Sequence, residues 1–310
     1  ERLEADLRVR AMSRLCKMPR VATWLCTAWF AALALPAAAA DTRELQERID
    51  TDLFGLPAPT SLGERLQLWA TWYHVHSVDA IPDGVRLLDV AGAPISPPVP
   101  GRDWCLGALQ GVILIKAVDG AKRTYTYETT APKEEVDCVD YFKHAASWTR
   151  AAGRSRFGVS TGPFGDGAGG FQVVPFRSIA VDTRLIPLGT VLYIPAARGT
   201  AITLPSGRKA VHDGYFFASD RGGAIKDNHI DVFAGLWTTN PFPSFIWSTE
   251  SRTFEAYVII DEIVKPRLHR LHALDGGEST RYAGEPHERR VAEPDSTQVV
   301  STLADYQLAP

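Results

Sequence analysis

Short apolar and β-branched stretches, cut every few residues by glycine or proline, constrain the fold of this chain more than any other feature. Leu68–His76, Val85–Val90, Val112–Ala117 and Thr124–Thr129 have strand character, and so do Ser178–Val181, Val191–Ile194, Lys209–Ala218, Ile230–Phe233 and Phe254–Ile260. Asp119-Gly120 reads as a hairpin turn, and Pro94, Pro97, Pro98 and Pro100 mark a surface loop. Val136–Ala152 is a plausible helix, and Leu45, Ile49 and Leu53 suggest a short amphipathic one in a Pro-rich lead-in over 41–67. No helical period of useful length interrupts the later strands, so the expectation is a mainly β chain closed into a barrel or packed as a sandwich. Gly158 to Gly170 holds more glycines than turns alone require, which points to backbone approaching something closely, or to a mobile lip. From Lys265 to Pro310 the chain turns polar and reads as a loosely ordered tail.

The first forty residues read as an upstream extension followed by an export signal rather than as fold. Arg14, Lys17 and Arg20 precede an apolar run from Val21 to Leu35, and Pro36 to Ala40 supplies the small residues of a cleavage site. The run is shorter than the ~20 residues of a spanning helix. Export to the periplasm or cell envelope, with a mature chain from Asp41, is therefore expected. Cys16 and Cys26 would leave with the signal, and Cys105 and Cys138 would pair as a disulfide in an oxidising compartment. A formal net charge of −3 and the lack of a later Lys/Arg block give no reason to expect a nucleic-acid partner.

Chemistry concentrates in two stretches. In Ile179-Ala180-Val181-Asp182-Thr183-Arg184-Leu185-Ile186-Pro187-Leu188-Gly189, a strand ends on an acid and turns. In Phe217 to Phe233, Asp220 closes one strand before Gly222 and Gly223, and Asp231 is embedded in another, Ile230-Asp231-Val232-Phe233. An acid among apolar neighbours loses hydration, so it is either paired or holds its proton. A carboxylic acid protonated near neutrality is what a general acid for glycosidic cleavage requires. The alternative from the residues alone is that Asp182 and Asp220 cap turns and Asp231 meets a Lys or Arg.

These stretches resemble the three-aspartate (3D) domain, known from murein lytic transglycosylase A and from Firmicute stationary-phase survival cell-wall proteins. The family pattern is an Ala-Val-Asp turn with Ile-Pro-Leu-Gly, then Asp-x-Gly-Gly-Ala-Ile-Lys, then a last Asp in an apolar strand. Asp182, Asp220 and Asp231 match the three aspartates, and Ala70-Thr71-Trp72-Tyr73 looks like the family's opening strand. The resemblance implies a six-stranded double-psi β-barrel over 68–264. It implies cofactor-free cleavage of the β-1,4 bond between N-acetylmuramic acid and N-acetylglucosamine in peptidoglycan, leaving 1,6-anhydro ends. The family's catalytic acid maps onto Asp231, with Asp220 supporting it and Asp182 at the groove edge. Thr71, Tyr73, Gly222, Gly223 and Lys226 become candidate substrate-binding residues, joined by Trp237 from a loop whose aromatics have little core to enter. Asp227 stands where the family usually has glycine, and 77–157 aligns with neither branch and reads as an inserted subdomain.

A metal site is not expected. His74 and His76 share a strand face and His212-Asp213 lies further on, but no third ligand follows at a recognisable spacing. Two rival functions remain open: a non-catalytic glycan-binding barrel like the expansins, and a glycoside hydrolase using the same groove.

Overall fold

The alternation of β1 (Arg65–Tyr73) sets the plan of the molecule. Leu66, Leu68, Ala70 and Trp72 point to one side and join a buried apolar cluster, while Trp69, Thr71 and Tyr73 point to the other. A computed structural model describes residues 54–142, 147–246 and 249–274, all within one compact unit spanning 49–310. The expected signal, the lead-in helix around Leu45–Leu53, Trp247 and the chain beyond residue 274 lie outside the described residues.

After β1 come β2 (His76–Asp79), α1 (Gly101–Gln110), β3 (Val112–Lys116), β4 (Lys122–Thr130), α2 (Ser147–Ala152) and β5 (Ser155–Val159). Then follow β6 (Ser178–Val181), β7 (Val191–Tyr193), β8 (Ala201–Thr203), β9 (Lys209–Val211) and β10 (Tyr215–Asp220). The described chain ends with β11 (His229–Phe233), β12 (Phe254–Val258) and α3 (Val264–His272). Six strands close a barrel in the order β1-β11-β6-β10-β7-β12. The pairs β1/β11 and β6/β10 are parallel and the other pairs antiparallel. Two interlocked parallel crossovers in a closed six-stranded sheet make this a double-psi β-barrel.

Its interior is filled by the inward set of every strand, including Ile179, Val181, Leu192, Phe216, Ala218, Ile230, Val232 and Ala256. Phe242 and Phe245 join them, fully buried and edge-on to Phe216. These two aromatics were expected to find little core; the loop folds back far enough to plug the barrel with them. Outside that core, Arg177 is fully buried and makes a two-pronged ion pair with Asp213 at 2.5 and 2.7 Å. Asp213 also accepts the backbone N–H groups of Gly55 and Leu56, which ties the lead-in to the barrel.

Between β1 and β6 the chain builds a second core. β2, β3, β4 and β5 form a four-stranded sheet in that order, and Trp104, Ile113, Ile115, Tyr125 and Phe157 pack with α1. The Cys105–Cys138 disulfide, buried in this cluster, joins positions 33 residues apart.

Four expectations need correction. α1 was not foreseen; Pro100 starts it, and Gly111 stops it at φ 76°. Val136–Ala152 is not one helix, because a short 3₁₀ turn at Val139–Tyr141 precedes α2. Val85–Val90 is not a regular strand. It meets the proline loop only through isolated bridges, Val85 to Val99 and Leu88 to Pro94, since prolines lack the N–H a ladder needs. Residues 265–272 are not tail but belong to α3, which buries Val264, Leu268 and His272 at i, i+4 spacing and stacks His272 on Phe217 at 4.2 Å.

Candidate active site

Barrel register assembles the site. Thr71 of β1 lies opposite Asp231 of β11, Asp231 lies opposite Ala180 of β6, and Ala180 lies opposite Asp220 of β10. The four residues form one cross-strand row on the outer face. Strict alternation would send Asp220 inward, because Phe216 and Ala218 already point there. A register shift between Ala218 and Asp220 adds one residue, Ser219, and turns the Asp220 carboxyl outward beside Ala180.

The glycine-rich segment holds that bulge in place. Ala168 donates its N–H to the Ser219 carbonyl at 2.8 Å, and Gly167 sits so close to the same carbonyl that a Cβ would collide with it. Ser219 also donates its hydroxyl to Ser178 at 2.7 Å. The other end of the segment is tied to the inserted sheet, where Asp166 N–H bonds Thr126 Oγ1 at 2.9 Å. The glycines therefore serve close approach, one of the two uses expected of them.

Both carboxyl groups in the row are half-buried. Burial raises Asp231 to about 7; a hydrogen bond from Thr71 opposes the shift and the Asp220 charge adds to it. Thr71 Oγ1 donates to Asp231 Oδ1 at 2.7 Å. Burial likewise raises Asp220 to about 6, opposed by the Tyr73 hydroxyl, which donates to Asp220 Oδ2 at 2.7 Å. Tyr73 itself is pushed well up by burial and by Asp220, so it stays a neutral donor. A carboxylic acid that holds its proton near neutrality can donate it to a leaving oxygen.

Asp182 belongs to a different environment. Arg184 grips it through Nε and Nη2, the latter at 2.6 Å, and its Oδ2 accepts the Asp227 N–H at 2.8 Å. The Arg184 hydrogen bonds hold its carboxyl far below the usual range. With Arg184, Leu185, Asp227 and Asn228 it lines a shallow cleft. Asp227 has φ 52°, the left-handed conformation that suits glycine and that Asp tolerates better than most residues. Gly222 and Ile225 close a tight turn after Asp220, and Gly223 on that turn is exposed. Lys226 is half-buried just before β11, and Trp237, 44% exposed, follows it.

Of the histidines considered as metal ligands, His76 and His212 have other hydrogen-bond partners. His76 bonds Asp103 at 2.9 Å, and burial lowers His74 to about 4. His212 is fully buried against the Phe176 carbonyl, and Asp213 is taken by Arg177. Among the described residues no group of three or more His, Cys, Asp or Glu is placed to hold a metal.

With this geometry in view, the family comparison falls on the same strands. Residues 177–239 match the 3D domain. The span holds Asp182, Asp220 and Asp231, while Thr71 and Tyr73 reach the site from β1, outside it. Solved structures to which this chain is similar include MltA of Escherichia coli with bound chitohexaose, at 16% identity and TM-score 0.41 over 62% of this chain and 71% of that one. Another is a membrane-bound lytic murein transglycosylase from Agrobacterium tumefaciens, at 16% identity and TM-score 0.39 over 74% and 86%. A third is the lytic transglycosylase LtgG of Burkholderia pseudomallei, at 18% identity and TM-score 0.33 over 63% and 71%. No curated protein sequence matches the chain.

Three contributors were not picked out from sequence. Ala180 is the small spacer between the two acids, Ser219 is the bulge that turns Asp220 outward, and His229 bonds Thr71 at 2.8 Å. His229 had a readable signal: it stands two residues before Asp231 in one strand, hence on the same face.

Proposed function

We propose that this chain cleaves peptidoglycan glycan strands as a lytic transglycosylase, with Asp231 as its general acid and base and no cofactor. One observation carries the reading. Asp231 stands solvent-accessible in an apolar strand, raised to about 7, with a hydroxyl donor on one oxygen and a second acid across Ala180. The protonated carboxyl gives its proton to the glycosidic oxygen as the bond from the anomeric carbon to that oxygen breaks. The 6-hydroxyl of the same sugar then bonds to the anomeric carbon, and the Asp231 carboxylate takes the hydroxyl proton. No water is consumed, so one carboxyl suffices, whereas a hydrolase needs two at a set separation.

In this reading burial keeps Asp231 protonated, the Asp220 charge adds to that, and Tyr73 keeps Asp220 oriented. Asp182 fixes the loop before β11 through Arg184 and Asp227 rather than touching the reacting bond. Gly222, Gly223 and Lys226 border the sugar path, and Trp237 offers a face for stacking on a pyranose ring. An exported chain with a buried disulfide at Cys105 and Cys138 would meet this substrate in the cell envelope. Among the described residues no helix is long and apolar enough to cross a membrane.

The test is the product. Purified sacculi incubated with the protein and read by mass spectrometry should release 1,6-anhydro ends. Reducing ends would transfer the site to a hydrolase, and binding without cleavage would transfer it to a glycan-binding barrel.

A further inference from the structure

A carboxyl that gives and then takes a proton needs its ionised form stabilised at the moment it appears. The row around Asp231 contains a device for this. His229 lies opposite Trp69 in the parallel ladder, and the two rings stack at 3.6 Å with planes 2° apart, which fixes the imidazole plane. In that plane its Nε2 is 2.8 Å from Thr71 Oγ1, and Thr71 is 2.7 Å from Asp231.

A hydroxyl has one proton. When Thr71 donates it to the Asp231 carboxylate, its oxygen can only accept from His229, so the imidazole proton must sit on Nε2. Nδ1 makes no hydrogen bond, although the Ala224 carbonyl, which raises the ring's pKa, is the acceptor that would draw the proton to Nδ1 instead. Burial lowers His229 to about 3, partly offset by the Ala224 carbonyl, so the ring is neutral wherever Asp231 titrates. It is therefore not an alternative acid.

We propose that His229 is a positioning residue acting through Thr71: its Nε2–H turns the Thr71 hydroxyl proton onto Asp231 and so stabilises the carboxylate left after proton donation. This rests on the reading of Asp231 as the acid and base. The other titratable groups facing Asp231 are Asp220 on β10 and Tyr73 on β1, with β6 contributing only Ala180. None of them bonds the Thr71 hydroxyl, so the relay can be perturbed without touching them.

The experiment is a carbon-13 NMR titration of the Asp231 carboxyl, with the pH–rate profile of muropeptide release beside it. Thr71→Val should raise the Asp231 midpoint by about one pH unit, and Thr71→Ser should restore it. His229→Phe keeps a flat ring against Trp69 but has no donor, and should raise the midpoint by less. In the Thr71→Val background His229→Phe should add nothing, because its route to Asp231 is already cut. An unmoved midpoint in His229→Phe, or shifts that add in the double variant, would overturn the relay. Nitrogen-15 shifts of the His229 ring in the unmutated protein provide a check that no misfolded variant can blur; a proton on Nδ1 at a pH where Asp231 is ionised also overturns it. The titration needs no turnover, so a protein with the expected midpoints but no cleavage sinks the lytic reading alone.

Discussion

Replacing Asp220 with Asn isolates the coupling between the two acids. Asp220 titrates at about 6, so above that pH it places a negative charge two strands from Asp231, which titrates at about 7. Two strand spacings amount to about 9.5 Å between backbones. Coulomb's law at that distance gives about 0.4 kcal/mol in water and about 1.7 kcal/mol at an effective dielectric of about 20. Those energies correspond to about 0.3 to 1.3 pH units, and the half-buried position of both groups favours the middle of that range. Asp220→Asn should therefore lower the Asp231 midpoint by roughly half a unit to one unit. The acid must be protonated to act, so the alkaline limb of the pH–rate profile should move to lower pH by the same amount. The assay is muropeptide release across pH 4–9 at low and high salt, where screening should shrink the difference. An alkaline limb that stays put, or moves up, would refute the claim that the Asp220 charge adds to burial in holding the proton on Asp231.

Three further outcomes follow from the same structure. Removing the Cys105–Cys138 bridge by double alanine substitution opens a 33-residue loop and should cost about 3–4 kcal/mol in denaturant unfolding; a loss under about 1 kcal/mol would contradict it. Asp231 has a folded value of about 7 against an unfolded value of about 3.9, so its protonated form favours the folded state below about pH 4 and that contribution is lost as pH rises through about 7. Asp231→Asn does not titrate, so its melting temperature relative to the parent protein should be higher at pH 8 than at pH 4, and an equal difference at both would count against burial of the acid. Trp237→Ala should raise KM for glycan more than it lowers kcat, and should abolish any fluorescence change on adding chitooligosaccharide; an unchanged KM would return Trp237 to a structural role.

The barrel strands were legible because they are short apolar and β-branched runs bounded by glycine and proline. Ser178–Val181 and Ile230–Phe233 are almost wholly buried runs, and Asp231 stood out as the one acid inside them. Asp220 was legible as an acid at a strand end, but its direction was not. Nothing in Phe217-Ala218-Ser219-Asp220 announces the bulge, which is imposed by Gly167 and Ala168 from fifty residues earlier. α1 and α3 were hidden for a different reason. Gly101 to Gln110 contains two glycines that lower helix propensity, and 265–272 shows lysine, arginine and histidine on its outer side, so composition read as tail what tertiary packing makes a helix. The inward turn of Phe242 and Phe245 depended on where the barrel left space, which no local pattern states.

The central claim is that Asp231 transfers the proton in both halves of a lytic cleavage. The most direct measurement compares anhydro-muropeptide release from sacculi by the parent protein and by Asp231→Asn, with circular dichroism and sacculus binding measured on the same samples. The account predicts at least a ~10²-fold fall in turnover with fold and binding retained, since the amide keeps the Thr71 hydrogen bond but has no acidic proton to give. An Asp231→Asn protein that releases anhydro ends at the parent rate would contradict it.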